Sequence, residues 1–573
     1  MERKTLAIGI IVIVAIAAGA TGAVIYFMTA PPGEGEQIIS VGQMYLPFTI
    51  DPQDAWDQAS NNVIVQVVEG LLTYDWTDPA LPKIPRLATA LGTWDSTFIN
   101  YTVNLKTGVT FHDGSAFDAD DVVFTWKRQQ WLYNFTGLNN GYVPDVYELY
   151  SWPDHTPIIK EVHAVSQYQV IYELNRVYGP FEDLLCYAAS SILTDTYYNE
   201  TGGIVELDGD IVGTGPFMYE SYEEDVEVIM LAYDNYHRGK PKLDKVIYVG
   251  IISAQARTAA LFAGDIQYLY QPMDEMWSSI EGASGLTLWA PEDRVSSGLN
   301  YLAMNNIQIN RTWREAISYA YNYEYQIDTI RYGHGTRLKS PIGVGIKYHN
   351  GSLPAPIFNL TYAREVVQSM GFGTTFNVSE DDEWTAQTAS VPFLTLNYSY
   401  NIGNDVREKT FIMLIANLAK IGIRVTDAGS TWSIVLQKIY ELGGHDRNEV
   451  QLLFIGWGAD FNDPCNFINP LFTNRSVASN SAQYNGYTEA AKAGRDEFDT
   501  WDNVQLLMEA ALGMPDGAVR ESYYNRMQEL LLKDMPWVFA FSSQGPAWAH
   551  PNNVKGISYN AQGTYDFFPV YFE

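Results

Sequence analysis

Leu105-Lys106-Thr107-Gly108-Val109-Thr110-Phe111-His112-Asp113-Gly114, continuing through Asp118, Asp120-Asp121-Val122 and Trp126, holds a strand end, two turns and a helix start in one short stretch. Just upstream, Ile99, Tyr101, Val103 and Leu105 alternate with Asn100, Thr102 and Asn104, the two-residue period of a half-buried strand. Gly108 and Asp113-Gly114 supply turns on either side of Val109-Thr110-Phe111. Asp118 has the short acceptor side chain of a helix N-cap, and Asp120 and Asp121 suit the positive end of the helix dipole. Val122 and Trp126 then share the buried face of that helix. The same alternation of strand and helix signals continues outward, which predicts a mixed α/β body.

Further along, Thr312 and Glu315 have capping-box spacing ahead of Ile317, Ala320 and Tyr321. Phe411, Leu414, Ile415 and Leu418 mark a helix that ends at Gly422, and Ile423-Arg424-Val425 reads as the next strand. Val519, Tyr523, Met527, Leu530 and Leu531 mark a last helix, stopped by Pro536. Between them, Glu449-Val450-Gln451-Leu452-Leu453-Phe454-Ile455 reads as a strand running into Gly456-Trp457-Gly458-Ala459-Asp460-Phe461-Asn462-Asp463-Pro464.

The 573-residue chain is 47% hydrophobic and 18% charged, too apolar for disorder and long enough for about three domain-sized units. Acidic residues outnumber basic ones by 67 to 35, and the net charge of −32 opposes binding to nucleic acid. Arg3 and Lys4 precede an uncharged apolar run over residues 6–28, longer than a signal-peptide core and long enough to span a bilayer. It reads as an uncleaved anchor helix with everything after Pro31 outside the cytoplasm. Cleavage near Ala18-Gly19-Ala20 is the competing reading. Asn-x-Ser/Thr sequons at Asn100, Asn134, Asn199, Asn310, Asn350, Asn359, Asn377, Asn397 and Asn474 agree with export. Cys186 and Cys465 are either one bridge or two ordinary thiols.

No HExxH, Gly-x-Ser-x-Gly or Gly-x-x-x-x-Gly-Lys occurs. Gly213-Thr214-Gly215 lacks the third glycine of a dinucleotide fingerprint, because Met218 stands there. His112 reads as a turn residue, and Asp460, Asn462 and Asp463 lack the Gly and Glu of a calcium loop. No catalytic residue, metal site or cofactor is expected.

Several segments, in order, resemble the family 5 (peptide/nickel class) extracellular solute-binding proteins of ABC transporters. They are Val68-Glu69-Gly70-Leu71-Leu72, Pro85-Arg86-Leu87-Ala88, the 105–126 stretch, Gly213-Thr214-Gly215-Pro216-Phe217, Leu261-Phe262-Ala263-Gly264-Asp265-Ile266, Tyr301-Leu302-Ala303-Met304-Asn305 and Arg314-Glu315-Ala316-Ile317. Asp265 departs from the pattern by following its glycine directly.

The resemblance implies a two-lobed, periplasmic-binding-protein-like α/β fold of the class II type with an additional inserted domain. Lobe I would comprise 37–70, 205–295 and 531–573, the insert 71–204 and lobe II 296–530. These would follow the transmembrane helix and linker of residues 1–36. It implies a monomeric, membrane-anchored, non-enzymatic binding component that closes on a di- or oligopeptide and delivers it to a permease and its ATPase subunits. Oligosaccharides or nickel chelates are alternative ligands, and a cell-surface hydrolase or structural surface protein are readings from other classes.

In peptide-binding members the aspartate of the matching Gly-Trp-x-x-Asp segment pairs with the ligand's α-amino group, and Asp460 is that position. Trp457, Asp460, Phe461 and Asn462 are therefore the candidate ligand-binding residues. Asp460 is equally suited to capping a turn, and Trp457 either stacks on ligand or packs beneath the loop.

Overall fold

A computed structural model describes residues 35–573 apart from 79–80, 140, 153, 208, 291–294, 474–478, 485–502, 545–546 and 558–564. The expected anchor over residues 6–28 lies outside the described residues. Among the described residues no helix is long and apolar enough to cross a membrane.

Three larger sheets organise the body. The first has seven strands in the order Leu286–Trp289, Trp548–Pro551, Tyr268–Tyr270, Ile38–Gln43, Lys245–Gly250, Glu227–Ala232 and Phe217–Glu223. Its centre is parallel: Ile38–Gln43 runs alongside both Lys245–Gly250 and Tyr268–Tyr270. The second has six strands in the order Gly335–Arg337, Trp537–Gln544, Val295–Met304, Leu452–Trp457, Leu394–Ser399 and Ile423–Asp427. A four-stranded antiparallel sheet, Thr93–Trp94, Asn100–Asn104, Gln169–Leu174 and Ile159–Ser166, lies within the stretch expected as an insert. The chain passes from the first sheet to the second between residues 289 and 295 and returns between 544 and 548. Trp537–Gln544 pairs along Val295–Met304, so residues 537–544, expected in lobe I, are part of the second sheet. The sequence reading ended lobe II with the preceding helix. Trp537, Val538, Phe539, Ala540 and Phe541 are all buried, an unbroken apolar run that fits a strand covered on both faces.

Local expectations follow the chemistry that motivated them, with two exceptions. Tyr101, Val103 and Leu105 are buried along the 100–104 strand, and Asp118 closes a reciprocal cap with Asp121 at the start of the helix Ala119–Leu132, where Val122 and Trp126 are buried. Thr312 is not a cap. Asn310 takes that role, its side chain accepting from the Trp313 amide at 3.0 Å, because an Asn placed two residues earlier already satisfies the first turn. Glu315 is instead held by Arg311 at 2.6 Å and by the Tyr362 hydroxyl at 2.8 Å. The strand expected from Glu449 begins at Leu452, since Arg447–Glu449 forms a short 3-10 turn capped by Asp446.

The segments at 68–72, 85–88, 105–114 and 213–217 converge on one buried hub. Glu69 accepts hydrogen bonds from Thr214 Oγ1 (3.0 Å), Tyr236 Oη (2.7 Å), His237 Nε2 (2.8 Å) and Arg86 Nη1 (3.3 Å). Burial alone would raise its carboxyl pKa, but His237, Arg86 and Tyr236 outweigh burial and hold it below the ordinary glutamate value. His112 is tied in through its backbone N–H to Gly213 O (2.9 Å) and its ring Nε2 to Gly215 O (2.9 Å), as befits a turn residue. At Gly213 a β-carbon would stand 2.2 Å from the carbonyl oxygen of Val67. Gly213→Ala should therefore lower the calorimetric unfolding temperature, at a cost of about 1–3 kcal/mol for forced overpacking. An unchanged temperature would show that the backbone there yields freely.

Candidate ligand-binding site

A cavity of about 380 Å³ opens between the first and second sheets, within the roughly 300–1,000 Å³ typical of small-molecule sites. Its position follows from the topology. Gln43, Met44 and Tyr45 leave the carboxyl end of the central strand Ile38–Gln43, and Gly456 through Asp460 leave the carboxyl end of Leu452–Trp457. Carboxyl ends of sheet strands are where open α/β folds bind ligands. Tyr74 and Tyr187 come from the stretch that carries the four-stranded sheet.

Of the four residues expected to bind ligand, two line the cavity and two do not. Asp460 lines it. Its Oδ2 accepts from Trp56 Nε1 at 3.0 Å and from Asn466 Nδ2 at 2.7 Å, while its backbone N–H donates to Asn466 Oδ1 at 2.9 Å. Among the described residues Oδ1 has no donor. Burial raises the carboxyl to about 6 against the lowering effect of those two bonds.

Trp457 also lines the cavity, its ring edge-on to Trp56 at 5.8 Å and its Nε1 3.3 Å from Asn466 Oδ1. Phe461 is 1% exposed and belongs to the hydrophobic core. Asn462 is absent from the cavity wall, and its backbone N–H donates to the Tyr74 hydroxyl at 2.9 Å. The chain bends after Asp460, so the Phe461 side chain enters the core. Asp463, 3% exposed, then pairs in two-pronged fashion with Arg520 (2.8 and 2.9 Å) and fixes the far end of the loop.

Two arginines complete the wall. Arg407, in the helix Asp405–Ala419, is 9% exposed and donates from Nη1 to Asn401 Oδ1. Arg257, in the helix Ala254–Ala263, is 4% exposed and donates to the carbonyls of Ile251 and Ile252 at 2.6 and 2.7 Å. Both line the cavity, and neither has an ion-pair partner among the described residues. Burial depresses both guanidinium groups, Arg257 to about 10, with Tyr45 opposing the shift in each. An Arg on an amphipathic helix reads as a surface residue in so acidic a chain. Only the missing carboxylate partner reveals these two, and that is visible only in three dimensions.

Aromatic pairs bridge the cavity. Tyr45 stacks on Trp432 at 5.2 Å with planes 15° apart, joining the segment after the first sheet's central strand to the second part of the chain, as Trp56 and Trp457 do. Both cysteines are free: Cys186 is half-buried at the cavity and Cys465 is buried beside Tyr178. His445 bonds to Glu449 and is absent from the cavity wall.

This fold and cleft define a solute-binding protein, and residues 83–479 match the family model described as "Bacterial extracellular solute-binding proteins, family 5 Middle". The chain belongs to that family. It is similar to heme-binding protein A of Haemophilus influenzae (25% identity, covering 82% of this chain and 80% of that one) and to the glutathione-binding protein GsiB of Pectobacterium atrosepticum (26%, covering 91% of each). The crystal structure of a dipeptide-binding protein from Pseudoalteromonas sp. SM9913, in complex with Met-Leu, shares the fold with a TM-score of 0.80 at 20% identity. The match covers 94% of this chain and all of that one. The protein is thus an extracytoplasmic, two-lobed α/β binding component of an ABC transporter, not an enzyme.

Proposed function

We propose that the protein captures a short zwitterionic peptide between its lobes and presents it to an ABC importer. One observation carries the reading: the same cavity holds a carboxylate oxygen, Asp460 Oδ1, without a donor and two buried guanidinium groups, Arg257 and Arg407, without a carboxylate, among the described residues. Buried charges left unpaired are costly, and a ligand carrying one ammonium and one carboxylate would relieve both. Asp460 would accept from the α-ammonium, a charge-assisted bond worth roughly 1.5–3 kcal/mol. The arginines would take the carboxylate, and the aromatic walls would cover the side chains. Ligand contacts from both lobes favour the closed arrangement, which the permease would recognise. The relatives named for glutathione and dipeptide are consistent with this choice. The transmembrane anchor and the monomeric state are part of the same proposal.

The test is a thermal-shift screen against dipeptides, tripeptides, glutathione, heme, oligosaccharides and nickel chelates, repeated with Asp460→Ala. A ligand at 100 times its dissociation constant stabilises by about 2.7 kcal/mol. Peptides should shift the wild type and fail to shift the variant; a shift by sugars, heme or chelates alone would overturn the peptide reading.

The same carboxylate sets a pH dependence. Its pKa of about 6 means that it is ionised at pH 7 to 8 and progressively neutral below. An ammonium ligand binds only the ionised form. Peptide affinity should therefore hold above pH 7 and fall by roughly tenfold per unit below pH 6 from this one group. Calorimetric titration at pH 5 and pH 7.5 with equal affinities would count against Asp460 as the ammonium's partner.

A further inference from the structure

Placement outside the cytoplasm gives the Asn-x-Ser/Thr sequons a chemical context, and the structure divides those at described residues into two kinds. Asn474 lies outside the described residues. At Asn100, Asn350 and Asn397, all half-buried, the side-chain nitrogen is committed. Nδ2 donates to Asp95 Oδ2 (2.9 Å), Asn525 Oδ1 (3.1 Å) and the Glu449 carbonyl (2.9 Å) respectively. Asn134, Asn199, Asn310, Asn359 and Asn377 are exposed, and in each only the oxygen is engaged. Their Oδ1 atoms accept from the backbone N–H groups of Asn139 (3.1 Å), Thr201 (3.1 Å), Trp313 (3.0 Å), Tyr362 (3.0 Å) and Ser379 (3.0 Å). Their Nδ2 atoms have no partner among the described residues.

We propose that Asn134, Asn199, Asn310, Asn359 and Asn377 are acceptors for N-linked glycans and that Asn100, Asn350 and Asn397 are not. The donor would be an oligosaccharide activated on a lipid phosphate or pyrophosphate. Nδ2 attacks the anomeric carbon, a C–N bond forms as the C–O bond to phosphate breaks, and the lipid phosphate leaves with the bonding pair. The amide loses one proton to a basic group of the transferase, and no redox change occurs.

At the free sites this chemistry is compatible with the fold. Asn310 and Asn359 cap helices through Oδ1, which a glycan on Nδ2 leaves in place. At the committed sites the nitrogen is half-buried and held against its acceptor, so an incoming sugar lacks the open approach it has at the exposed ones. None of the five free sites lines the cavity, so glycans there leave the ligand's path open.

Glycopeptide mass spectrometry of the full chain, purified from the membranes of the organism that encodes it, decides the matter. Glycan is expected at the five exposed sites and absent from Asn100, Asn350 and Asn397. Asn359→Asp keeps an oxygen to cap its helix but removes the acceptor nitrogen, so the intact mass should drop by one glycan with the unfolding temperature unchanged. Glycan at the committed sites with occupancy equal to the exposed ones would overturn the division, and an unmodified mass across the chain would overturn the proposal as a whole.

Discussion

Replacing Arg407 with methionine is expected to weaken peptide binding by on the order of thirtyfold to several thousandfold, since losing one partner of a buried charge pair in a closed site costs about 2–5 kcal/mol. The unliganded protein should behave differently. Arg407 is 9% exposed, has no carboxylate partner among the described residues, and shares only one hydrogen bond, with Asn401, at its guanidinium. Removing a buried, unpaired charge relieves a desolvation cost, while the loss of the Asn401 contact acts in the opposite direction. The ligand-free unfolding temperature should therefore stay near that of the wild type while the ligand-induced shift collapses. A residue held for structure would lower both. If Arg407→Met binds peptide as tightly as the wild type, the carboxylate is held elsewhere, and Arg257→Met becomes the informative variant.

Arg520→Ala should lower stability by about 3–5 kcal/mol, because it strands the buried carboxylate of Asp463. Arg520 is 1% exposed and Asp463 3%, and the guanidinium also donates to the Ala511 carbonyl (3.1 Å) and to Asp516 (2.9 Å). Asp463 accepts from the Cys465 amide at 2.9 Å, so the pair anchors the start of the helix Cys465–Phe472 together with the end of the loop that presents Asp460. Calorimetry should show a lower unfolding temperature, and titration should show weaker ligand binding as the loop loses its anchor. Arg520→Lys, which keeps the charge but not the two-pronged geometry, should fall between. An unaltered unfolding temperature for Arg520→Ala would mean that the loop is fixed by its hydrogen bond to Tyr74 and its packing alone.

Much of this architecture was readable along the chain, because period and punctuation are local. The Tyr101–Val103–Leu105 alternation, the Asp118 cap and the Gly422 stop each state their structure within a few residues. Asp460 is singled out by the family resemblance of its Gly-Trp-x-x-Asp segment rather than by local period, and it lines the cavity. What escaped depends on distance. Arg257 and Arg407 lie far from Asp460 in sequence, and nothing around either shows that no acid will meet it.

Adjacency to Asp460 does not bring Phe461 into the cavity wall, because the bend between them sends the Phe461 ring into the core. The pattern of Trp537–Gln544 shows that it is buried but not between which neighbours, and its place in the second sheet is visible only in its pairing. The capping box at Thr312 failed to a better competitor, Asn310, two residues upstream.

The aromatic bridge across the cavity has an optical consequence. Trp56, Trp432 and Trp457 all stand in the cavity wall, Trp56 facing Trp457 and Trp432 lying flat on Tyr45. Separating the lobes would part these rings and admit water to indoles that are shielded when the rings meet, so the colour and intensity of the emitted light would change with the angle between the lobes. The cleft thus carries its own chromophores in its wall. Such a motion would be written in the protein's fluorescence without any attached dye.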